Sequence, residues 1–500
     1  WNRLVIAPDR LNSSLRCKQE LCFRGCMQVQ RMVISHEVFR VVVLVATLTV
    51  AATGFTAEDH RVADAAERNE PDVVRALIEE GVDVKSAQPD GATALHWATY
   101  WDEVQTAQRL ITAGAEVDAK NELAITPLVL ACRNGSDAMV QVLLRAGADA
   151  RSIGQAGETV LMTCARTGPV SSVMKLLAGG ADPDATEHDR GQTALMWAAS
   201  GNHVASVKAL VEAGADLTAR SQGGFTPLLF SARAGAIDVA RLLVAAGSDV
   251  NAVTPDGYSP LLVAAASIDA VTGSDYRLVV SQSPHEELAL YLLDHGADRN
   301  QSDQFGMTAL HFAVDREKIT LLKALLETGA EPNAVLTRPL PFRRGDYVSR
   351  NAYDGASPFW LATRDANLVM MRVLLDAGAD PFLANAAGVT PLMVASGLGE
   401  NDARRPPDDL VVQAVRFLLD RGANVFATNR GGQTALHGAA AMWEDQVIQL
   451  LVDHGADVNI EDKRGRTPLY LVERSNANAP SESTAALLRR LGSREPVALQ

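Results

Sequence analysis

The sequence predicts an all-α solenoid, built from paired antiparallel helices and joined by β-hairpin or turn fingers. Three observations carry that prediction. One phrase recurs along the chain, as in GATALHWA from residue 91, AITPLVLA from 124, GFTPLLFSA from 224, GVTPLMVAS from 388 and GGQTALHGAA from 431. Its hydroxyl residue falls at Thr93, Thr126, Thr159, Thr193, Thr226, Ser259, Thr308, Ser357, Thr390, Thr434 and Thr467, with successive spacings of 33, 33, 34, 33, 33, 49, 49, 33, 44 and 33. A second phrase of the form LLxxGAD places a glycine 21 residues after the hydroxyl in uninterrupted copies, as at Gly114, Gly147, Gly180, Gly214, Gly247, Gly329, Gly378 and Gly455. A fixed period of this size marks a chain made of one stacked unit rather than of separate globular domains.

Each element of the unit has a physical reason. The Thr or Ser caps a helix N-terminus, and Pro127, Pro227, Pro260, Pro358, Pro391 and Pro468 follow it directly, where a missing N–H costs nothing. A first helix therefore starts there, short and rich in Ala. A second helix such as DVARLLVAAG, ending at Gly247, buries a Leu-rich stripe, and its glycine takes the left-handed conformation that ends it. A turn such as PDG then leads to the next copy. The stretch HRVADAAERNEPDVVRALIEEGVD at the front has both helices without a preceding hairpin, as a capping repeat does.

These residues are similar to the ankyrin-repeat family, whose T-P-L-H-x-A signature and 33-residue period they match over 58–492, or 435 of 500 residues. The resemblance implies that fingers and first helices line a concave binding face. Its variable contact positions lie four, three and one residues before the Thr and seven and eight after it. Carried over, they include Tyr100, Trp101, Arg133, Arg190, Phe225, Tyr258, Phe305, Arg316, Tyr353 and Arg364, and at the last copies Arg430, Lys463, Arg464, Arg466 and Arg474. Trp97 and Trp197 sit four after their Thr and read as core. His96, His311 and His437 occupy the family's own His position and read as structural.

Three copies carry insertions, near 269–284, 335–350 and 399–409. The middle one lengthens a finger, so it is expected beside the binding face. It brings Arg338, Phe342, Arg343, Arg344, Tyr347, Arg350 and Tyr353, a set suited to carboxylate or phosphate contacts and aromatic stacking.

Outside the repeats, residues 1–31 begin with Trp1, show no helical or strand period and read as a mis-called or non-structural leader. Residues 32–57 hold an apolar run from Val41 to Ala52, then small residues before Glu58 and Asp59, the order of a secretory signal peptide. The run is shorter than the ~20 residues a spanning helix needs. Export to a periplasmic or extracellular space is expected, with an uncleaved membrane anchor as the alternative. Residues 493–500 form a tail. Cys132 and Cys164 fall where other copies have Ala and read as buried small residues, too few to make a disulfide framework.

Composition narrows the function. Apolar residues make up 47% and charged residues 21%, a globular balance. The net charge is -14, and removing residues 1–31, with six Lys+Arg and two Asp+Glu, makes it -18, which argues against nucleic acid as a partner. No phosphate loop, H-E-x-x-H helix, nucleophile elbow or paired C-x-x-C set occurs outside the leader, so no catalytic, cofactor or metal site is expected. The expected role is a non-catalytic scaffold for a protein partner. A small-ligand accessory subunit and a structural spacer are the alternatives.

Overall fold

The computed structural model describes residues 59–266, 284–338, 353–398, 406–474 and 481–494. They hold 24 helices in consecutive antiparallel pairs, and no strand. The chain divides after Glu122. The first unit has two pairs, Arg61–Glu67 with Pro71–Glu79 and Ala94–Tyr100 with Val104–Thr112. The second runs from Pro127–Asn134 to Glu482–Arg490. The leader and signal-peptide calls, at 1–31 and 32–57, lie outside the described residues, as do the insertion cores at 267–283, 339–352 and 399–405 and the end of the tail.

The helix starts follow from the hydroxyl residue. Thr126 has extended backbone, and its Oγ1 accepts the Val129 N–H at 3.3 Å, with Pro127 at the first helical position. A cap of this kind contributes about 1 kcal/mol. Three copies add a histidine three residues on. His311 Nδ1 accepts the Thr308 N–H at 3.2 Å, and His96 and His437 do the same for Thr93 and Thr434 at 3.1 Å. The imidazole thus closes the reciprocal cap that Glu or Gln more often closes. Because Nδ1 accepts, Nε2 carries the proton, and it faces Ala356 O from His311 and Arg466 O from His437.

Of the hairpin or turn fingers expected, the structure has turns. Among the described residues they are turns with isolated bridges only, at Ala87 with Thr93, Ile153 with Thr159 and Ser302 with Thr308. Each turn closes on itself with one or two backbone hydrogen bonds, as from Ser221 N–H to Phe225 O at 3.0 Å, and others reach the neighbouring finger. In the second unit, His188 N–H donates to Ala156 O at 2.8 Å, Gln222 to Arg190 O at 2.7 Å, Gln304 to Asp256 O at 3.0 Å, Thr337 to Phe305 O at 2.8 Å and Ala386 to Asp354 O at 2.8 Å. This close approach explains the turn glycine. Gly257 and Gly306 have φ of 84°, and a Cβ on either would lie 2.8 Å from backbone of the next finger.

A second stitch runs along the loops after the second helices. Asn251 Oδ1 accepts the Asp298 N–H at 2.7 Å while its Nδ2 donates to Gly296 O at 3.1 Å, and Asn333 repeats this with Asp380 and Gly378. Within each unit the core is a seam of small and aliphatic side chains, widened in the second near Phe359 and Trp360, which are 0% and 2% exposed. Trp97 and Trp197, expected in the core, are only half-buried, because four residues past the cap the side chain leaves the seam toward the fingers.

The cysteines correct the expectation most plainly. Cys132 and Cys164, both 0% exposed, are joined as a disulfide between the first helices Pro127–Asn134 and Val160–Thr167, with their Cα atoms 4.6 Å apart. Adjacent first helices meet along their Ala-rich seam, and there the sixth residue after one cap faces the fifth after the next. The bridge closes a loop whose ends are 32 positions apart, for which chain entropy gives about 3–4 kcal/mol.

Two outcomes follow. Reduction, or Cys132→Ser with Cys164→Ser, lowers the melting temperature of the repeats around it, by an amount matching about 2–4 kcal/mol; scanning calorimetry with and without reductant checks this, and an unchanged melt contradicts it. Burial lowers the pKa of His311 from 6.5 to about 4, so its neutral form belongs to the folded state. The associated stability is complete above about pH 6.5, declines as pH falls and is lost through about pH 4. His311→Gln, which keeps the cap without titrating, flattens the fall of the urea midpoint over that window.

Candidate functional site

The variable positions lie where first helices end and fingers turn. In the first unit, Trp101 follows the helix Ala94–Tyr100 and is 44% exposed, with its indole N–H donated to Glu67 O at 3.1 Å. Tyr100 stacks edge-on against both Trp97 and Trp101, at ring separations of 5.8 and 5.0 Å. Gln88 Oε1 accepts the Trp97 indole N–H at 2.7 Å, so this aromatic group is held from below and open above.

In the second unit, Phe225, Tyr258 and Phe305 occupy three successive fingers, each half-buried. Phe225 packs on Phe230 at 5.7 Å. Burial raises the Tyr258 hydroxyl pKa, and the carboxylates of Asp303 and Asp256 add to the effect, so the phenol is a neutral hydrogen-bonding group with an apolar ring. Burial likewise raises Asp303, whose carboxylate takes backbone N–H groups of Phe305 and Met307 at 2.9 Å. Such rings suit a protein interface, since they add contact area at small cost in side-chain entropy.

The inserted finger is anchored at both ends. Leu336 N–H donates to Ala356 O at 3.1 Å and Gly355 N–H returns to Leu336 O at 3.0 Å, closing the base of the loop. Arg338 is exposed at its start. Phe342, Arg343, Arg344, Tyr347 and Arg350 lie outside the described residues. Tyr353, at the far end, packs edge-on against Trp360 at 6.0 Å and lies under the Arg364 guanidinium at 5.3 Å.

Several basic residues picked from the pattern are already engaged. Arg364 is paired with Asp365 at 2.6 Å and faces Asp315 at 3.7 Å. Burial alone would lower its pKa, but the Asp365 hydrogen bonds and the surrounding negative charge raise it above the usual arginine value. Arg466 holds the buried Asp462 carboxylate at 2.6 Å, and against the cost of burial this keeps Asp462 below the usual aspartate range. Arg364 and Arg466 therefore brace the finger-side face, while Arg464 remains exposed beside them. Sequence reasoning passed over Arg166 and Arg233. Both stand seven residues after their Thr, the offset that selects Arg133, so the same rule finds them.

The comparisons with known proteins agree with this architecture. The family model described as ankyrin repeats (3 copies) matches residues 62–121, 103–187, 128–221, 161–254, 256–335 and 409–488, and a single ankyrin repeat matches 387–430. The chain is similar to human BCL-6 corepressor-like protein 1, 34% identical over 22% of this chain and 5% of that protein. It is also similar to the mouse B-cell lymphoma 3 protein homolog, 32% identical over 22% of this chain and 21% of that protein. Protein PhlB of Serratia liquefaciens is 35% identical over 25% of this chain and 48% of its own length. The aligned stretch spans less than half the length of each of these relatives. With the helix pairs, capped first helices and turn fingers described above, these matches over more than half of its length establish that the chain belongs to the ankyrin-repeat family.

Proposed function

We propose that the chain is a non-catalytic scaffold that holds a protein partner on the finger-side face of its second unit, and that it works in an oxidising, extracytoplasmic space. The observation that carries the first half is the row of half-buried rings, Phe225, Tyr258 and Phe305, on successive fingers fixed by backbone hydrogen bonds. A row of rings set at the repeat spacing presents a pre-ordered surface, which lowers the entropic cost of capture.

The Cys132–Cys164 bridge supports the second half, since such bonds persist in oxidising compartments and are rare in cytosolic proteins. The apolar run from Val41 to Ala52 followed by small residues points the same way. An uncleaved run would leave the scaffold tethered to the membrane.

Capture of the native partner by the purified protein tests the face. Tyr258→Ala with Phe305→Ala weakens it by about tenfold or more, the range of interface anchors, whereas Val369→Ala, on an exposed second-helix position, leaves it within about twofold. The reverse order of effects overturns the assignment. Thiol labelling of protein recovered from fractionated native cells tests the compartment: unlabelled cysteines outside the cytoplasm are expected, and a labelled cytosolic pool contradicts export.

A further inference from the structure

Most arginines of the described residues that lie near a carboxylate are paired with it. Arg61 meets Asp59 at 2.8 Å, Arg241 meets Glu287 at 3.0 Å, and Arg364 and Arg466 hold Asp365 and Asp462. On a chain with a net charge of -14 that is the ordinary outcome. One stretch of the finger-side face departs from it. Arg133, Arg166 and Arg233 stand in the last turns of the first helices Pro127–Asn134, Val160–Thr167 and Pro227–Ala234. The helix between them, Ala194–Ser200, ends in Ser200 at that position, and Arg190 enters the gap from its finger.

Arg133, Arg190 and Arg233 have no ion pair among the described residues, and Arg166 has only Glu158, at 3.8 Å. The Arg166 guanidinium lies over the Trp197 ring at 4.7 Å, which orients it without neutralising it. The like charges are close enough to oppose one another. Burial lowers the pKa of Arg166, and Arg133 lowers it further against the pull of Glu158; burial lowers Arg233 as well, with Arg190 adding to it. Arg166 nevertheless keeps 51% of its side chain accessible, as a group on a walled, open surface does. Phe225, half-buried and packed on the buried Phe230, stands between Arg190 and Arg233 in the chain and adds apolar surface at that end.

We infer that this row binds an acidic, extended peptide segment of the protein partner. The inference rests on the reading that the finger-side face receives a protein, and it names the chemistry of what is received. The geometry sets a register. Neighbouring first helices of a stack are about 8–10 Å apart, and an extended strand advances about 3.3–3.6 Å per residue. Carboxylates about three residues apart therefore meet Arg133 and Arg166, and one about six residues farther on meets Arg233, past the helix that ends in Ser200. Guanidinium groups suit this task because each takes both oxygens of a carboxylate. Farther along the stack Arg316 and Arg364 are already engaged by Asp315 and Asp365, so the guanidinium groups left for an acidic segment lie in the residue 133–233 stretch. The acidity of the whole chain disfavours nucleic acid, which would carry its charge past that boundary.

The test uses the full chain and a fluorescein-labelled peptide of Glu-Ser-Gly repeats, read by anisotropy. Arg133→Ala, Arg166→Ala and Arg233→Ala combined are expected to weaken binding by about tenfold or more, and raising salt from about 50 mM to about 300 mM to weaken it further. Replacing the peptide's Glu by Gln has the same effect. Arg372→Ala, an exposed arginine on a second helix, leaves binding unchanged. Circular dichroism melting confirms that each variant is folded, and Arg166→Lys with Arg233→Lys, which keeps the charge, recovers part of the affinity. Equal binding by the triple variant overturns the inference, and so does tighter binding of oligothymidylate than of the peptide. The two readings fail separately. If the native partner is lost on Tyr258→Ala with Phe305→Ala but kept by the triple arginine variant, the face stands and the acidic segment falls; if both variants keep it, the face falls too.

Discussion

The contact on which the rest of the structure depends is the one between each finger and the next. In the second unit a backbone N–H of one turn reaches the carbonyl of the turn before it, except where Pro255 has no N–H to give, and a glycine without a Cβ at most turns leaves room for the approach. That single approach sets the spacing of the first helices, because the finger runs straight into the capped Thr or Ser. The fingers are too short for hairpin ladders: each closes on itself with one or two backbone hydrogen bonds and spends another on its neighbour. The histidine caps serve the same contact, since His311 and His437 reach carbonyls of the following copy as well as the Thr N–H of their own. Stability in such a stack is a sum of local and nearest-neighbour terms, so one buried bridge between Cys132 and Cys164 reinforces a place rather than the whole.

Much of this was legible in the sequence, and the reason is repetition. Eleven hydroxyl residues at near-constant spacing specify caps, and the glycine 21 residues on specifies the helix end, with no need to know what packs on what. What depended on three-dimensional register was not legible. The cysteines sit six and five residues after their caps, and nothing in that offset says that those positions face each other across two helices. Arg364 and Arg466 occupied positions typical of partner contacts, yet each has a carboxylate one or four residues away in the chain that claims it. Trp97 and Trp197 looked like core because apolar rings usually are. Arg166 and Arg233 were missed for a different reason, since the pattern selects them and they became prominent only once it was seen that no carboxylate holds either closely.

The finger-side face of the second unit is consequently neither uniformly basic nor uniformly apolar. Arginines without a close carboxylate lie between residues 133 and 233, half-buried rings run from Phe225 to Phe305, and beyond them Arg364 is tied to aspartates beside the inserted finger. Pairing inside the protein removes a charge from the recognition surface as effectively as a substitution would. The usable surface is therefore the remainder after internal pairing, and that remainder is ordered along the chain. Such an ordering suits a partner that lies lengthwise on the stack, its charged part and its apolar part in a fixed sequence.

The measurement that tests the account most directly is amide hydrogen exchange of the chain with and without its co-purified partner. Slowed exchange concentrated in the finger turns and first-helix ends between residues 133 and 305 is the predicted result. Slowed exchange confined to the second helices, such as Ile237–Ala245 and Leu368–Asp376, with the fingers unaffected, would contradict it, because the partner would then be held on the opposite side of the stack.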